Sequence, residues 1–138
     1  MSARDIRVAE AAALLGVSTD TVRRRAQAAG IEPSTTAGVT SYPAAAVARL
    51  ATEQAAAAAA GHDQLGDLGP ASARNRLRGI VTRVVRDGVM AQVEVQAGAF
   101  RVVSLISREA ADELGLEEGS LVAATVKATN VGIEGITR

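Results

Sequence analysis

Two short segments and one isolated serine have the residue types to hold a ligand. Ser72-Ala73-Arg74-Asn75 offers a hydroxyl, closely spaced backbone N–H groups and a guanidinium. Lys127-Ala128-Thr129 offers an ammonium, further amides and a second hydroxyl. Ser107 stands where a short helix, Arg108 to Leu114, is expected to start, and anions are favoured at a helix N-terminus. None of these segments contains a carboxylate. Donors without nearby carboxylates suit a tetrahedral dianion, which presents only acceptors. Lys127 is the only lysine among fifteen basic residues. That fits a role which the flat fork of arginine would not fill. It fits equally a chain that prefers arginine, with one neutral exception.

Other chemistry is not legible. The single histidine, His62, falls in a Gly/Asp-rich stretch, and the chain has no cysteine, which excludes disulfides and thiolate metal sites. Ser104 and Ser107 have no base near them in sequence. Glu109, Asp112 and Glu113 read as the wet face of a short helix. There is no glycine-rich phosphate loop and no metal-ligand spacing. An enzyme is not expected.

The elements that must position the donors differ between the two halves. In the C-terminal half, Ile80 to Val85 is a β-branched run, Asp87-Gly88 a turn dipeptide, and Val89, Ala91, Val93 and Val95 alternate with polar residues, the period of a half-buried strand. Phe100, Val102, Ser104 and Ile106 repeat that alternation. After the short helix, Gly115 and Glu117-Glu118-Gly119 lead into a strand from Leu121 to Lys127, and Val131 to Ile136 reads as a last strand. Several short strands with one small helix predict an OB-like β-barrel.

In the N-terminal half, Val8 to Leu15 reads as a helix, Gly16-Val17-Ser18 as a turn, and Thr19 to Ala29 as a second helix with Ser18 as its N-cap and Gly30 as its stop. Ala11, Leu15, Val17, Val22 and Ala26 can share one small core. Two short helices joined this way make a helix-turn-helix. The second helix carries Ser18, Thr19, Thr21, Arg23, Arg24 and Arg25 on its exposed side, where DNA-binding examples meet bases and phosphates. The same three arginines also read as a solvated face near a helix C-terminus.

The expected organisation is therefore α+β in two domains. Residues 1–51 form the helical domain. Residues 52–70 comprise an alanine-rich extension of a helix that begins near Pro43, then a flexible linker. Residues 71–138 form the barrel. With 138 residues and aromatics limited to Tyr42 and Phe100, each core is thin and a partner subunit is expected. Acidic and basic residues balance at fifteen each, so DNA binding must rest on local clusters rather than on a global field. No apolar run is long enough to span a membrane, and a soluble cytoplasmic protein is expected.

Both halves resemble known families. Val8-x-Glu10-Ala11-Ala12-x-Leu14-Leu15-Gly16-Val17-Ser18-x-x-Thr21-Val22-Arg23-Arg24 resembles the opening of the MerR/excisionase-type winged-helix domains, which implies a winged helix-turn-helix and duplex DNA as partner. The chain departs from that pattern at Arg25, where an aromatic residue is common. It departs again in the wing, where Thr36-Ala37-Gly38-Val39-Thr40-Ser41-Tyr42-Pro43 keeps the Tyr-Pro step but has no basic residue. Each missing phosphate contact removes part of the counterion-release term.

Ser72-Ala73-Arg74-Asn75-x-Leu77-x-Gly79, Ile106-Ser107 with Glu113-Leu114-Gly115-Leu116-x-Glu118-Gly119, and Val126-Lys127-Ala128-Thr129-x-Val131 together resemble the molbindin, or Mop/TOBE, family. That resemblance implies molybdate or tungstate as ligand, with no organic cofactor and no bare metal cation. It implies a homo-oligomer, from a dimer up to a hexamer, with ligand sites at subunit interfaces. The site residues it implies are Ser72, Ala73, Arg74, Ser107, Lys127 and Ala128, with Asn75 and Thr129 at the margin. Family members often carry a second hydroxyl three positions after Ser107, where this chain has Ala110. An unpaired anion oxygen there would cost about 1–3 kcal/mol. Together the halves suggest a molybdate-responsive DNA-binding regulator. The alternative is a molybdate storage or homeostasis oligomer whose N-terminal module does not bind DNA.

Overall fold

In a computed structural model, the structure describes residues 5–137. Residues 1–4 of the expected first domain and Arg138 of the expected barrel lie outside them. The chain divides into two compact units, Met1–Gln64 and Leu65–Arg138, each described by itself below.

The first unit packs three helices on a small sheet. Strand β1 (Asp5–Arg7) leads into α1 (Val8–Leu15), followed by α2 (Thr19–Ala28), strands β2 (Ser34–Thr36) and β3 (Val39–Pro43), and α3 (Ala44–His62). β3 is the middle strand, antiparallel to β1 and β2. Gly16 closes α1 in the left-handed region at φ 65°, and the hydroxyl oxygen of Ser18 accepts from the Thr21 N–H to cap α2. The turn between β2 and β3 places two consecutive residues in the left-handed region, Ala37 at φ 51° and Gly38 at φ 78°. This is the geometry of a tight hairpin turn whose twist matches its strands. Ala11, Leu15, Val22 and Ala26 are buried with Val8, Tyr42, Val47 and Leu50, and Val17 packs against them. Periodicity thus picked out the α1 and α2 contributions. α3 supplies Val47 and Leu50, then runs on to His62 as an alanine helix with exposed side chains.

The second unit is a four-stranded antiparallel sheet with one short helix. Its elements are β4 (Asn75–Arg86), β5 (Met90–Ala97), β6 (Phe100–Ser107), α4 (Arg108–Glu113) and β7 (Leu121–Val126). The strand order is β6-β5-β4-β7. A register shift between Val81 and Arg83 bends β4, as bulges do. The long β4 therefore serves two partners in succession: its first half pairs with β7 and its second with β5. The result is a curled sheet. Its concave side buries Val81, Ala91, Val93 and Val95 beneath Ala111 and Leu116.

Three details differ from the expectation. Among the described residues β6 and β7 remain sheet edges, so a single copy is an open curl rather than a closed barrel. The expected last strand is absent: a short 3-10 turn at Ala128–Asn130 is followed by irregular chain over 131–137, which pairs with neither open edge of the sheet. Val89 is exposed, because it lies in the β4–β5 turn, ahead of the strand that its alternation suggested.

One side chain and one glycine shape the curl. The Asp87 carboxylate accepts the N–H of Met90 at 2.6 Å and of Val89 at 2.7 Å. The Met90 bond first, and then the Val89 bond, keep its pKa below the ordinary carboxylate range. A depressed pKa stabilises above the unfolded-state value and is lost only as pH falls through the folded one, so this turn is insensitive to pH near neutrality. Gly79 lies where β4 crosses β5. A Cβ there would stand 2.5 Å from the Gln96 carbonyl oxygen and 2.7 Å from Val95 Cγ1. Gly79→Ala should therefore destabilise the second unit by about 1–3 kcal/mol, which chemical denaturation would measure.

Candidate functional site

β4 and β7 run antiparallel with Asn75 opposite Val126. That register fixes the site. Residues just before Asn75 and just after Val126 must leave the sheet side by side, so Ser72-Ala73-Arg74 and Lys127-Ala128-Thr129 come together at one end. The Asn75 side-chain amide donates to the Val126 carbonyl at 3.1 Å, tying the two segments where they diverge. The 3-10 turn then folds the second segment back, with the Asn130 N–H donating to the Lys127 carbonyl at 2.9 Å. Ser72, Arg74, Lys127, Ala128 and Thr129 are exposed and Ala73 is half-buried. The side chains of Ser72, Arg74, Lys127 and Thr129 make no hydrogen bond or ion pair among the described residues, so hydroxyl, guanidinium and ammonium are all available. Among those residues there is also no cluster of potential metal ligands.

Ser107 is elsewhere. It pairs with Met90 at the end of β6, and the neighbouring β5 residue Ala91 pairs with Arg86 at the far end of β4. Between Asn75 and Arg86 lies the whole of β4, 12 residues, or roughly 3.3 Å of strand for each. A single copy therefore does not bring Ser107 to the other donors. Its hydroxyl oxygen accepts from the Ala110 N–H at 3.0 Å as the cap of α4, leaving its O–H to donate. Nearby, Arg86 binds Asp112 at 3.0 Å and the Leu116 carbonyl at 2.8 Å, and Arg108 donates to the Asp87 carbonyl at 2.9 Å. These arginines hold α4 and the β4–β5 turn in place.

Comparison with known proteins decides the identity of this unit. Residues 71–133 match the TOBE domain. Over 63 residues the chain is 41% identical to molybdenum-pterin-binding protein 2 of Clostridium pasteurianum, spanning 93% of that protein and 45% of this chain. The chain belongs to the TOBE-domain family. Molybdenum-pterin-binding protein 3 of the same organism matches equally, at 41% over 63 residues. Among solved structures, MopII of Clostridium pasteurianum is similar at 39% identity, covering all of that chain and 48% of this one, with a TM-score of 0.45. A molybdate-binding protein of Sporomusa ovata is similar at 30% identity, covering all of that chain and 49% of this one, with a TM-score of 0.47. The TOBE match begins at residue 71, one position ahead of Ser72, and ends beyond Thr129, so both donor segments lie inside the TOBE domain.

In the first unit the six residues singled out on α2 separate by the partners they have. Ser18 and Thr21 share a hydroxyl–hydroxyl bond of 2.9 Å within the helix cap. Arg23 pairs with Asp20 at 3.3 Å, an exposed contact of small energetic weight. Arg25 donates to Gln54 Oε1 at 2.6 Å, and the Gln54 amide donates to the Leu15 carbonyl at 2.9 Å. Thr19 is half-buried at the first turn, and Arg24 is exposed with no partner among the described residues. Gln54 was not singled out from sequence: it sits beside an alanine run, and only the folded α3 carries it back to the end of α1. Gln54→Ala would leave the Leu15 carbonyl and Arg25 unpaired and should destabilise the first unit by about 1 kcal/mol, measurable as a lower denaturation midpoint.

Proposed function

We propose that this protein binds molybdate, or the closely similar tungstate, through its TOBE unit, and uses that binding to control DNA association by its N-terminal unit. The observation that carries the first part is the register of Asn75 with Val126, which gathers two carboxylate-free, donor-rich segments. The names of the sequence relatives, molybdenum-pterin-binding proteins, support that ligand. Ser72, Arg74 and Lys127 supply charged or hydroxyl donors, Ala73 and Ala128 supply backbone N–H groups, and Asn75 and Thr129 flank them. The dianion binds by charge-assisted hydrogen bonds. The reading is of a binding protein, not an enzyme, with neither an organic cofactor nor a bare metal cation, acting in the cytoplasm; no described helix is long and apolar enough to cross a membrane.

The site is completed by a second copy. Ser107 stands a full strand length from Asn75 within one chain, so its hydroxyl reaches the anion only from a neighbour. Three further features favour assembly as a dimer or higher oligomer. Both edges of the curl are open. Its concave side leaves a trough of about 320 Å³ lined by Val93, Val95, Val102, Ile106 and Val122. Ile133 and Ile136 of the tail are 93% and 87% exposed, a cost that burial against a neighbour would recover at about 25 cal/mol per Å². The missing last strand finds its partner in that assembly. Calorimetry on the full chain should show tight molybdate binding that Lys127→Ala weakens at least tenfold. The mass in solution should be oligomeric. Unchanged affinity in the variant would place the anion elsewhere.

For the first unit we read α1, its turn and α2 as a helix-turn-helix, with the β2–β3 hairpin as its wing. Of the three α2 arginines, Arg24, and Arg23 after exchanging Asp20 for a phosphate, are able to reach duplex DNA, while Arg25 is committed to Gln54. Pairing of two TOBE units would present two such helices, and molybdate at the interface would alter how they are presented. Arg24→Ala should weaken DNA binding, lower the slope of log affinity against log salt by about 1 per monomer, and leave molybdate binding intact. One observation favours the second reading, a molybdate storage or homeostasis oligomer: the hairpin tip Thr36-Ala37-Gly38-Val39 carries no cation. Absence of duplex binding above a nonspecific level, with and without molybdate, would decide for storage.

A further inference from the structure

The segment ahead of the donor loop, expected to be flexible linker, is strapped onto the sheet. Arg78 Nη2 donates to the Gly66 carbonyl at 2.8 Å, and Arg76 Nη1 donates to the Gly69 carbonyl. Both arginines stand on β4 two residues apart, so they project from the same side of the strand. Leu65 and Leu68 sit over a cleft of about 350 Å³ that Leu114, Leu116 and Leu121 also line. Gly66 takes φ +98° to make the bend, in open space. Chain from Gly69 to Arg76 is thus closed into a ring by the Arg76 bond, and Ser72-Ala73-Arg74 lies in the middle of it. Beside Arg76, the Asn75 side-chain amide donates to the Val126 carbonyl and ties that end of the ring to β7.

We propose that Arg76 and Arg78 are positioning residues for the oxyanion loop: by strapping residues 66–69 to β4 they hold Ser72–Arg74 in its binding conformation, and anion binding in turn holds the strap closed. This rests on the molybdate reading given above. The physical reason is entropic. An open loop of small residues must be ordered when the anion binds, at a cost in backbone entropy. A strap closed beforehand removes part of that cost from binding, as preorganisation does generally. Reciprocity then requires the anion to favour the closed strap.

Two kinds of variant separate the strap from the charge of the arginines. The double variant R76A/R78A removes both. Gly66→Val leaves both arginines but disfavours the φ that the bend requires. Molybdate affinity of the full chain by calorimetry, and hydrogen exchange of the amides of residues 66–74 with and without molybdate, are the measurements. Expected are a five- to twentyfold loss of affinity in both variants, faster exchange over 66–74 in both, near-complete rescue in R76K/R78K, and slowed exchange in the wild type on adding molybdate. An unchanged thermal midpoint of the anion-free variants would show that the sheet itself is intact. Loss of affinity in R76A/R78A but not in Gly66→Val would mean that the arginines act through charge alone, which overturns the strap. Wild-type affinity in both variants overturns it as well, while leaving the molybdate site standing. A wild type that fails to bind molybdate overturns the site reading and the coupling with it.

Discussion

The antiparallel pairing of Asn75 with Val126 is the constraint on which the candidate site depends. A strand end has no reason of its own to gather donors. Here the first residue of β4 lies opposite the last of β7, and the Asn75 side chain adds a bond across the pair. A slip of one residue in that register would exchange the two faces of a strand. It would also separate the segments that carry Ser72 and Lys127. The register is protected from inside the sheet. Val81 and Val95 are buried on the concave side, and Gly79 lets β4 approach β5 more closely than any side chain would permit. The binding end is thus set by apolar packing and backbone contact some residues away from any donor.

Much of this was legible in sequence, and the reason differs by element. Alternation in Ala91, Val93 and Val95 gave β5, because a sheet with one wet face must alternate. Ser18 and Ser107 were read as helix caps from side-chain chemistry alone, and both accept the expected N–H. The donor segments were read from their lack of carboxylates, and only the pairing of β4 with β7 brings them together. What stayed hidden depends on contacts distant in sequence. The Arg25–Gln54–Leu15 connection joins residues 29 and 39 positions apart. The length of β4 concealed the distance from Asn75 to Ser107. Residues 66–69 read as linker because glycines carry no periodicity, yet their carbonyls are what Arg76 and Arg78 bind. The tail after Asn130 has the composition of a strand but lacks a partner within one chain.

Cationic side chains in this protein divide into those spent on architecture and those left over, and the proposed anion ligands come from the second group. Arg86, Arg108, Arg76 and Arg78 each donate to a main-chain carbonyl in a turn or loop, and Arg25 donates to Gln54 Oε1. Arg101 is paired with Glu94 on the sheet, and that pairing, first of all, holds the Glu94 carboxyl below its ordinary pKa. These cations are committed. Among the described residues Arg24, Arg74 and Lys127, like Arg49 and Arg83, make no such bond; the first three fall in the two places where an anion is proposed, Arg24 on the second helix of the first unit and the other two at the β4–β7 end of the second. Lys127 makes the contrast sharpest. A guanidinium in its position could bond the carbonyls of its own turn, as the other arginines do elsewhere. An ammonium on a flexible stem is a compact donor better suited to an oxygen brought from outside.

If the proposed anion site lies between copies, the thin cores give a reason for ligand binding and assembly to be one event. The buried side chains of the second unit are mainly valine and alanine, each contributing modest area, while larger apolar residues such as Leu105, Leu121, Ile133 and Ile136 remain exposed. A neighbour that covers them adds the stabilisation that a unit of this size cannot draw from its own interior. If that neighbour also brings the Ser107 hydroxyl, the anion bonds to both copies and its binding free energy counts toward the interface. A dianion bound by one copy alone would keep much of its hydration and gain little over water. Held between two copies, it would exchange that hydration for donors fixed in advance by the Asn75–Val126 pair on one side and the cap of α4 on the other. Assembly would then respond to oxyanion concentration without any separate switch, and the first units would inherit that response through their attachment to the second.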